Sequence, residues 1–498
     1  MKICLISRLN KLLIFASFLL LFSFTPNEEQ YVFPIRPGET NYLSGTMGEV
    51  RNTHFHAGID IKTGGREGLP VYATSSGYIS RIKISPSGYG NALYLTHDDG
   101  YTSVYAHLLS LDNPLEEYTL AQQYEQQSFA VDLFPPKGKF RYEKGEKIAL
   151  SGNTGSSMGP HLHFEIRDPE YHVVNPLHFQ YEEVKDYSSP ILKMIGIKSL
   201  STDARINGRF GREEYVVNKG ENYYLPNTIE VYGDIGLQLL AYDRQYGSRN
   251  RNGFPYTELI LDGETIFKQD IDRISFSRMR DIYVHYDYPH KVITRNKFTK
   301  LYVDDGNKLP FYETENRGII SIRDDKEHSL EIILKDANDN VSRCFIKLKG
   351  KKDFQQTFTD RGFRVPDSKY QLVDNSLMMF YNTRNFQEKA ILEVNHQEHE
   401  LHPEYLINGT GVFIWNMSKG LPQYAYFQKD TLELSLDVTV PPNTRFDFFH
   451  EKMDLIFPAN ALFDTLYLAS HHHIDSLEGR EIFTIEDHYT PFRKSMHV

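Results

Sequence analysis

The sequence predicts a mainly β protein built from about three domains. Three observations carry this expectation. The chain has 498 residues, which suits about three domains of ordinary size. Tyr (33) and Phe (32) are abundant, and both favour strands. Short runs in which apolar and polar residues alternate recur along the chain, and that period of two belongs to half-buried strands.

Residues 1 to 26 read as a targeting segment. Lys2, Arg8 and Lys11 precede the largely apolar run Leu12 to Phe24, which Thr25, Pro26 and Asn27 end. That run has signal-peptide length and is short for a bilayer span. The rival reading is an uncleaved anchor, since no small-x-small cleavage site stands out. Cys4 precedes the apolar run, which is the wrong place for a lipoprotein acceptor. Removal takes three positive charges from a net charge of −11, leaving about −14. It also leaves Cys344 as the only cysteine, so no internal disulfide is expected. An exported chain without disulfides fits the periplasm or envelope of a bacterium. With no basic surplus, a nucleic-acid partner is not expected. Once the signal is cleaved, an integral membrane protein is not expected either.

From 31 to 180 the short strands frame several histidines. Gly77 to Ile84 alternates, Gly88-Tyr89-Gly90 turns, Ala92 to Thr96 forms the next strand, and Asp98-Asp99-Gly100 leads into Tyr101 to His107. The segment 112–140 interrupts this pattern. Asn113 is placed to cap a helix, with Pro114 at its first position, Glu116 completing a capping box and an end near Gln127. The insertion reads either as a surface excursion or as a wall of a groove.

The run Ser151 to Arg167, S-G-N-T-G-S-S-M-G-P-H-L-H-F-E-I-R, joins a glycine-rich turn to an alternating strand. On a strand, His161, His163 and Glu165 share one face. Two imidazoles side by side suit a metal. Taken alone, they read as two half-buried strand histidines, a reading that yields only if the chain supplies a third ligand and a base. A third ligand and a base are available upstream. In R-N-T-H-F-H-A-G-I-D-I-K, His56 and Asp60 stand four apart and so on one side of either a strand or a helix. His54 rivals His56 by strand parity, but only His56 has an aspartate four residues on. His107 follows in Tyr105-Ala106-His107-Leu108. Glu165 has two readings, a group orienting one of the histidines or a surface strand carboxylate.

H-A-G-I-D, V-Y-A-T-S-S-G-Y-I, G-Y-G-N, Y-A-H-L and G-N-T-G-S-S-M-G-P-H-L-H-F-E-I-R together resemble the lysostaphin-type (LytM-like, β-lytic) zinc metallopeptidases over about residues 43–176. The resemblance implies a small antiparallel β-sheet with an open groove. It implies one Zn²⁺ held by His56, Asp60 and His163, with His107 and His161 as the catalytic pair. It further implies hydrolysis of peptide bonds in peptidoglycan stem peptides or cross-links. Which of the two histidines acts as base stays open. Two other classes remain: a non-catalytic relative that activates another wall hydrolase, and an envelope adhesion or scaffold protein. All five residues stand in this chain, whereas non-catalytic relatives usually lack some of them.

Residues 189–350 are expected to form a β-sandwich. Its strands are read at Lys193 to Ile197, Ile235 to Tyr242, Leu259 to Phe267, Gly318 to Ile322, Ser329 to Leu334 and Val341 to Leu348. The D-A-N-D-N run from Asp336 to Asn340, followed by a last strand, resembles the end of immunoglobulin-like domains. Cys344 reads as a core thiol. Residues 351–498 form a second β-rich region, with strands at Gln423 to Phe427 and Phe446 to His450. His471-His472-His473 reads as a solvated loop. The expected partners are peptidoglycan peptides and, through the C-terminal β regions, an envelope protein.

Overall fold

The computed structural model describes residues 31–498 except 353–354, 451, 476–478 and 486–488. The expected signal segment lies outside the described residues. Strands dominate, as the composition predicts. Among the described residues no helix is long and apolar enough to cross a membrane. The chain falls into two compact units, each assembled from separated segments.

The first unit holds 31–40, 63–162 and 177–183. Its centre is an antiparallel meander. Gly77–Ile84 pairs with Ala92–His97 (Ile82 opposite Leu93), and Ala92–His97 with Thr102–Ala106 (Leu93 opposite Tyr105). Ile79, Ile82, Leu93, Leu95 and Val104 are fully buried, which is the alternation expressed as a core. The insertion forms a helix, Asn113–Glu125, and then the strand Val131–Leu133 on the free edge of Gly77–Ile84. The helix cap differs from expectation. Asp112, not Asn113, is the N-cap residue, and Glu116 reaches back to the amide of Leu111. A smaller sheet sets Lys147–Ser151 between Pro70–Tyr72 and Leu108–Leu111.

The second unit holds 41–62, 163–176 and 184–498. Leu43–Gly45 pairs with Ile59–Lys62, which borders the strand His161–Arg167. That strand turns back through Val173–Val174, whose far edge pairs with Arg273–Ile274. One apolar cluster then joins Met47, Phe55 and Val173 to Ile271, Ile274, Tyr286 and Phe311. The histidine-bearing segments thus share a core with residues far along the chain.

The β-rich region expected as a sandwich is built on Ile191–Ser199 against Ile229–Tyr242 and on the hairpin Glu327–Lys335 with Val341–Gly350. Cys344 is 1 % exposed in its core, as expected. Two readings need correction here. Leu259 to Phe267 is not one strand but a hairpin, Tyr256–Leu261 and Glu264–Asp270. Asp262 and Gly263 turn between them with φ of 50° and 90°, the conformation an Asp-Gly pair accepts readily. Residues 276–294, given no element from the sequence, are short helical turns.

In the last region Trp415 lies in a core with Leu377, Phe413 and Leu392, and Phe446–His450 pairs with Met453–Phe457. His471 to His473 do not form a loop. They lie on the strand Ser470–Asp475, opposite Arg480–Ile485.

Candidate metal centre and active site

In the second unit, His56, Asp60 and His163 converge. His56 Nε2 lies 3.0 Å from Asp60 Oδ1 and 3.1 Å from His163 Nδ1, and His163 Nδ1 lies 2.9 Å from Asp60 Oδ1. All three residues are buried. The local chain makes this possible. A Cβ at Gly58 would collide with the Phe164 carbonyl, so only glycine lets the strands approach this closely between the two upstream ligands. Gly45 serves likewise, because a Cβ there would fall on Arg51 and on Asp60 Oδ2, the latter 2.8 Å away.

The far nitrogen of each imidazole is held. His56 Nδ1–H donates to the Thr46 carbonyl at 2.9 Å. His163 Nε2–H donates to Glu165 Oε1 at 3.0 Å. Glu165 is completely buried and also accepts from Arg167 Nε at 2.8 Å. The reading of Glu165 as a surface carboxylate is therefore overturned; it orients His163. Each ring's lone pair thus faces the other donors. Arg51 Nη2 donates to the outer oxygen of Asp60 at 2.9 Å, leaving Oδ1 for the centre.

Electrostatics separate the two rings. Burial lowers His56 below its ordinary value, against the pull of Asp60. Burial also acts to lower His163, but hydrogen bonds to Asp60 and Glu165 outweigh it and bring it to about 9. A metal would have to compete with that proton. Two neutral imidazole nitrogens and one carboxylate oxygen are the donor set of a catalytic zinc site. Tetrahedral zinc with ligand bonds of about 2.0–2.1 Å separates its ligands by roughly 3.3 Å. The spacings of 2.9 to 3.1 Å fit that ion with little adjustment. His54 is not in this group; it is exposed, beside Thr53 Oγ1.

His107 and His161 form a second constellation, in the first unit. Their ring centroids are 4.7 Å apart. His107 Nδ1–H donates to the Thr154 carbonyl at 2.8 Å, and His161 Nδ1–H to the Gly159 carbonyl at 2.8 Å. In each neutral ring Nε2 is then the nitrogen that takes up a proton. His107 has a left-handed backbone, φ 59°, uncommon for a residue with a side chain. Interlocked loops hold it there. Its amide donates to the Tyr89 carbonyl at 2.9 Å. Thr154 Oγ1 accepts from Asn91 N at 3.0 Å and donates to the Leu108 carbonyl at 3.0 Å. Gly155, φ 72°, packs its backbone directly on Gly90, leaving no room for a side chain.

Sequence reasoning missed Thr46, Arg51 and Arg167. Thr46 acts through its carbonyl, which no residue pattern reveals. Arg167 was open to discovery, since it continues the parity of His163 and Glu165.

Comparison with known proteins bears on this arrangement. Residues 54–121 match peptidase family M23. Lipoprotein NlpD of Yersinia enterocolitica is 31% identical over 115 residues, which are 23% of this chain and 93% of that protein. The chain belongs to peptidase family M23. An uncharacterized metalloprotease of Haemophilus influenzae is 33% identical over 145 residues, 28% of this chain and 24% of its own length. The DD-carboxypeptidase/endopeptidase Mpg of Neisseria meningitidis serogroup B is 36% identical over 145 residues, 28% of this chain and 27% of its own. This M23 chain thus spans about a quarter of the length of those two relatives. M23 peptidases are zinc metallopeptidases, and their relatives here include both peptidoglycan hydrolases and activators of murein hydrolases.

Proposed function

We propose that this M23 chain is a zinc metalloendopeptidase that hydrolyses peptide bonds in the stem peptides or cross-links of peptidoglycan. The observation that carries the reading is the convergence of His56, Asp60 and His163, with each imidazole's outer N–H already engaged. These three residues hold one zinc. Bound there, zinc supplies a Lewis acid and makes water acidic enough to ionise near neutral pH.

The chain's own residues do the rest. Glu165 and Thr46 keep the two ligand rings oriented. Of His107 and His161, one ring takes a proton at Nε2 as the attacking water loses it. The other, protonated, donates from Nε2 to the oxygen that becomes negative. The proton then passes to the departing amine. Because Nδ1 of each ring is tied to a backbone carbonyl, the proton is exchanged at one defined nitrogen.

We assign the chain to the bacterial envelope, exported by residues 1–26, with 31–180 as the peptidase, 189–350 as a β-sandwich and 351–498 as a second β-rich region. A second reading, a non-catalytic activator of another hydrolase, is favoured by the likeness to the murein hydrolase activator NlpD of Salmonella typhimurium, 34% identical over 122 residues. The zinc-loaded chain, incubated with purified peptidoglycan of known stem peptide, separates the two. Endopeptidase activity releases fragments of defined mass. An activator releases none alone and stimulates an added wall hydrolase.

A further inference from the structure

Three aspartates of the second unit have no part in the chemistry above. Asp186, Asp243 and Asp336 are 8, 5 and 5 % exposed. One carboxylate oxygen from each lies within 4.8 Å of the other two. They come from three places: the connector before Ile191, the residue after the strand Ile229–Tyr242, and the turn D-A-N-D-N of the hairpin Glu327–Lys335 with Val341–Gly350.

Two of the three are held by hydrogen bonds. Asp186 Oδ1 accepts from Ser188 N at 2.9 Å and from Tyr246 N at 2.8 Å. Asp336 Oδ1 accepts from Asn338 N at 2.8 Å and from Asn340 N at 2.9 Å. Asn340 Nδ2 donates both to Asp336 Oδ2 at 2.8 Å and to the Asp186 carbonyl at 3.1 Å, tying the connector to the turn. Asp243 differs: its Oδ1 is buried and makes no hydrogen bond. Among the described residues, none of the three is paired with a lysine or arginine.

An independent observation comes from Asn252, which is 4 % exposed. It and Asp243 exchange both backbone hydrogen bonds, at 2.8 and 2.9 Å. In such an antiparallel pair the two side chains stand on the same face. Asn252 Oδ1 is also buried without a hydrogen bond. A neutral oxygen therefore stands beside Asp243, and Asn252 Oδ1 and Asp243 Oδ1 both lack a hydrogen bond, the Arg244 amide being the one donor that lowers the Asp243 carboxyl.

Buried carboxylates are ordinarily paired with a cation, because burial of an unpaired charge is expensive. Here burial first, and then the charges of Asp336 and Asp186, push Asp243 up to about 8. A divalent cation relieves the same repulsion without that proton. The donors are all oxygens, with no imidazole or thiol, which selects a hard cation. They mix carboxylates with an amide oxygen and come from four segments. Calcium accepts such irregular sets of six to eight oxygens, whereas magnesium demands an octahedron and keeps its water.

We propose that Asp186, Asp243, Asp336 and Asn252 form a calcium site, made of different residues from the His56–Asp60–His163 set. Calcium there ties the connector to the strand end and to the hairpin turn.

The test uses the full-length, zinc-loaded chain and terbium(III) as a luminescent probe. The ring pair Tyr187 and Tyr246, next in sequence to Asp186 and near Asp243, serves as the sensitiser. Calcium chloride should displace terbium with a Kd of about 10⁻⁴–10⁻³ M, the range of extracellular calcium modules, and magnesium should do so roughly tenfold less well. Asp243→Asn should lose roughly tenfold or more of the calcium affinity while zinc content stays unchanged, because a charged ligand becomes neutral. Calcium should also raise the melting temperature of the wild type and not of the variant. Asp336→Asn gives the same test at a second ligand. If it fails to fold, Asp243→Asn, whose Oδ1 makes no hydrogen bond, carries the comparison. An absence of calcium competition at ten times the upper end of that range overturns the proposal. So does an Asp243→Asn variant that binds calcium as the wild type does. Zinc binding and hydrolysis are unaffected in either case, so this test and the test of the peptidase reading fail separately.

Discussion

His163 Nε2 lies 3.0 Å from Glu165 Oε1, and the Glu165 carboxylate is completely buried. The bond fixes which nitrogen of His163 carries its proton and so which one faces Asp60 and His56. Arg167 Nε supplies the balancing charge at 2.8 Å. A buried carboxylate with this role tunes the affinity of the ligand it orients.

Glu165→Gln keeps the size and one acceptor oxygen but removes the charge. Zinc affinity should fall by about 10–100-fold, the usual effect of losing an outer partner of a metal-bound histidine. Competition against a chromophoric chelator measures it. Unchanged affinity would reduce Glu165 to a structural partner of Arg167.

Binding and chemistry separate in the histidine variants. His163→Ala and Asp60→Ala should lose both zinc and hydrolysis. His107→Ala should keep its zinc and lose turnover by roughly 10²–10⁴-fold, as general acid–base losses run. Zinc per chain, by elemental analysis, read beside turnover decides this. A His107→Ala chain without zinc would mean that the roles are assigned wrongly.

The apolar cluster joining Phe55 and Val173 to Ile271, Ile274, Tyr286 and Phe311 makes another expectation. A chain truncated after residue 189 leaves Phe55 and Val173 without those partners. The loss of several large buried contacts, each worth about 2–5 kcal/mol, exceeds what the segments bearing His56, Asp60 and His163 can absorb. The fragment should bind zinc at least tenfold more weakly than the full chain, or not fold at all. A folded fragment with full zinc affinity would show that the cluster contributes nothing to the ligand geometry.

Acid stability should depend on His285. Burial, with the charge of Lys300 adding to it, lowers its imidazole to about 3, while the unfolded chain titrates near ~6.5. On acidification the unfolded state takes up this proton first. The contribution of His285 is complete above ~6.5 and is lost as pH falls toward 3. His285→Phe should therefore flatten the decline of melting temperature between about pH 6.5 and 4.5. Both chains are measured in chelator, so that metal loss does not add its own slope. Equal slopes would show that His285 is not the group responsible.

Spacing marked the pairs His56–Asp60 and His161–His163, and the family resemblance singled out His163; the meeting of His163 with His56 and Asp60 is a long-range contact. Two histidines two apart on a strand, and an aspartate four after a histidine, share a face whatever lies around them. The meander followed from alternation, and Gly77–Ile84 has the bounds its pattern implies. Glu165 was ambiguous because parity names the face but not its burial, and burial here depends on residues a hundred positions away. Between Leu259 and Phe267 the apolar residues on both sides read as one strand, whereas Asp262-Gly263 takes the left-handed turn that splits them into a hairpin. Helical turns at 276–294 carry no periodic stripe, being too short for one. The sharing of one core by Phe55 and Ile274 is a long-range fact, which local pattern does not encode.

The central claim is that this chain itself cuts peptidoglycan peptides through a metal held by His56, Asp60 and His163. The most direct measurement is mass spectrometry of soluble fragments released from purified peptidoglycan by the zinc-loaded chain, by the same chain stripped with chelator, and after zinc is restored. The account predicts cleaved stem peptides in the first sample, none in the second and recovery in the third. Release that persists unchanged in chelator, or no release from the zinc-loaded chain, would contradict it.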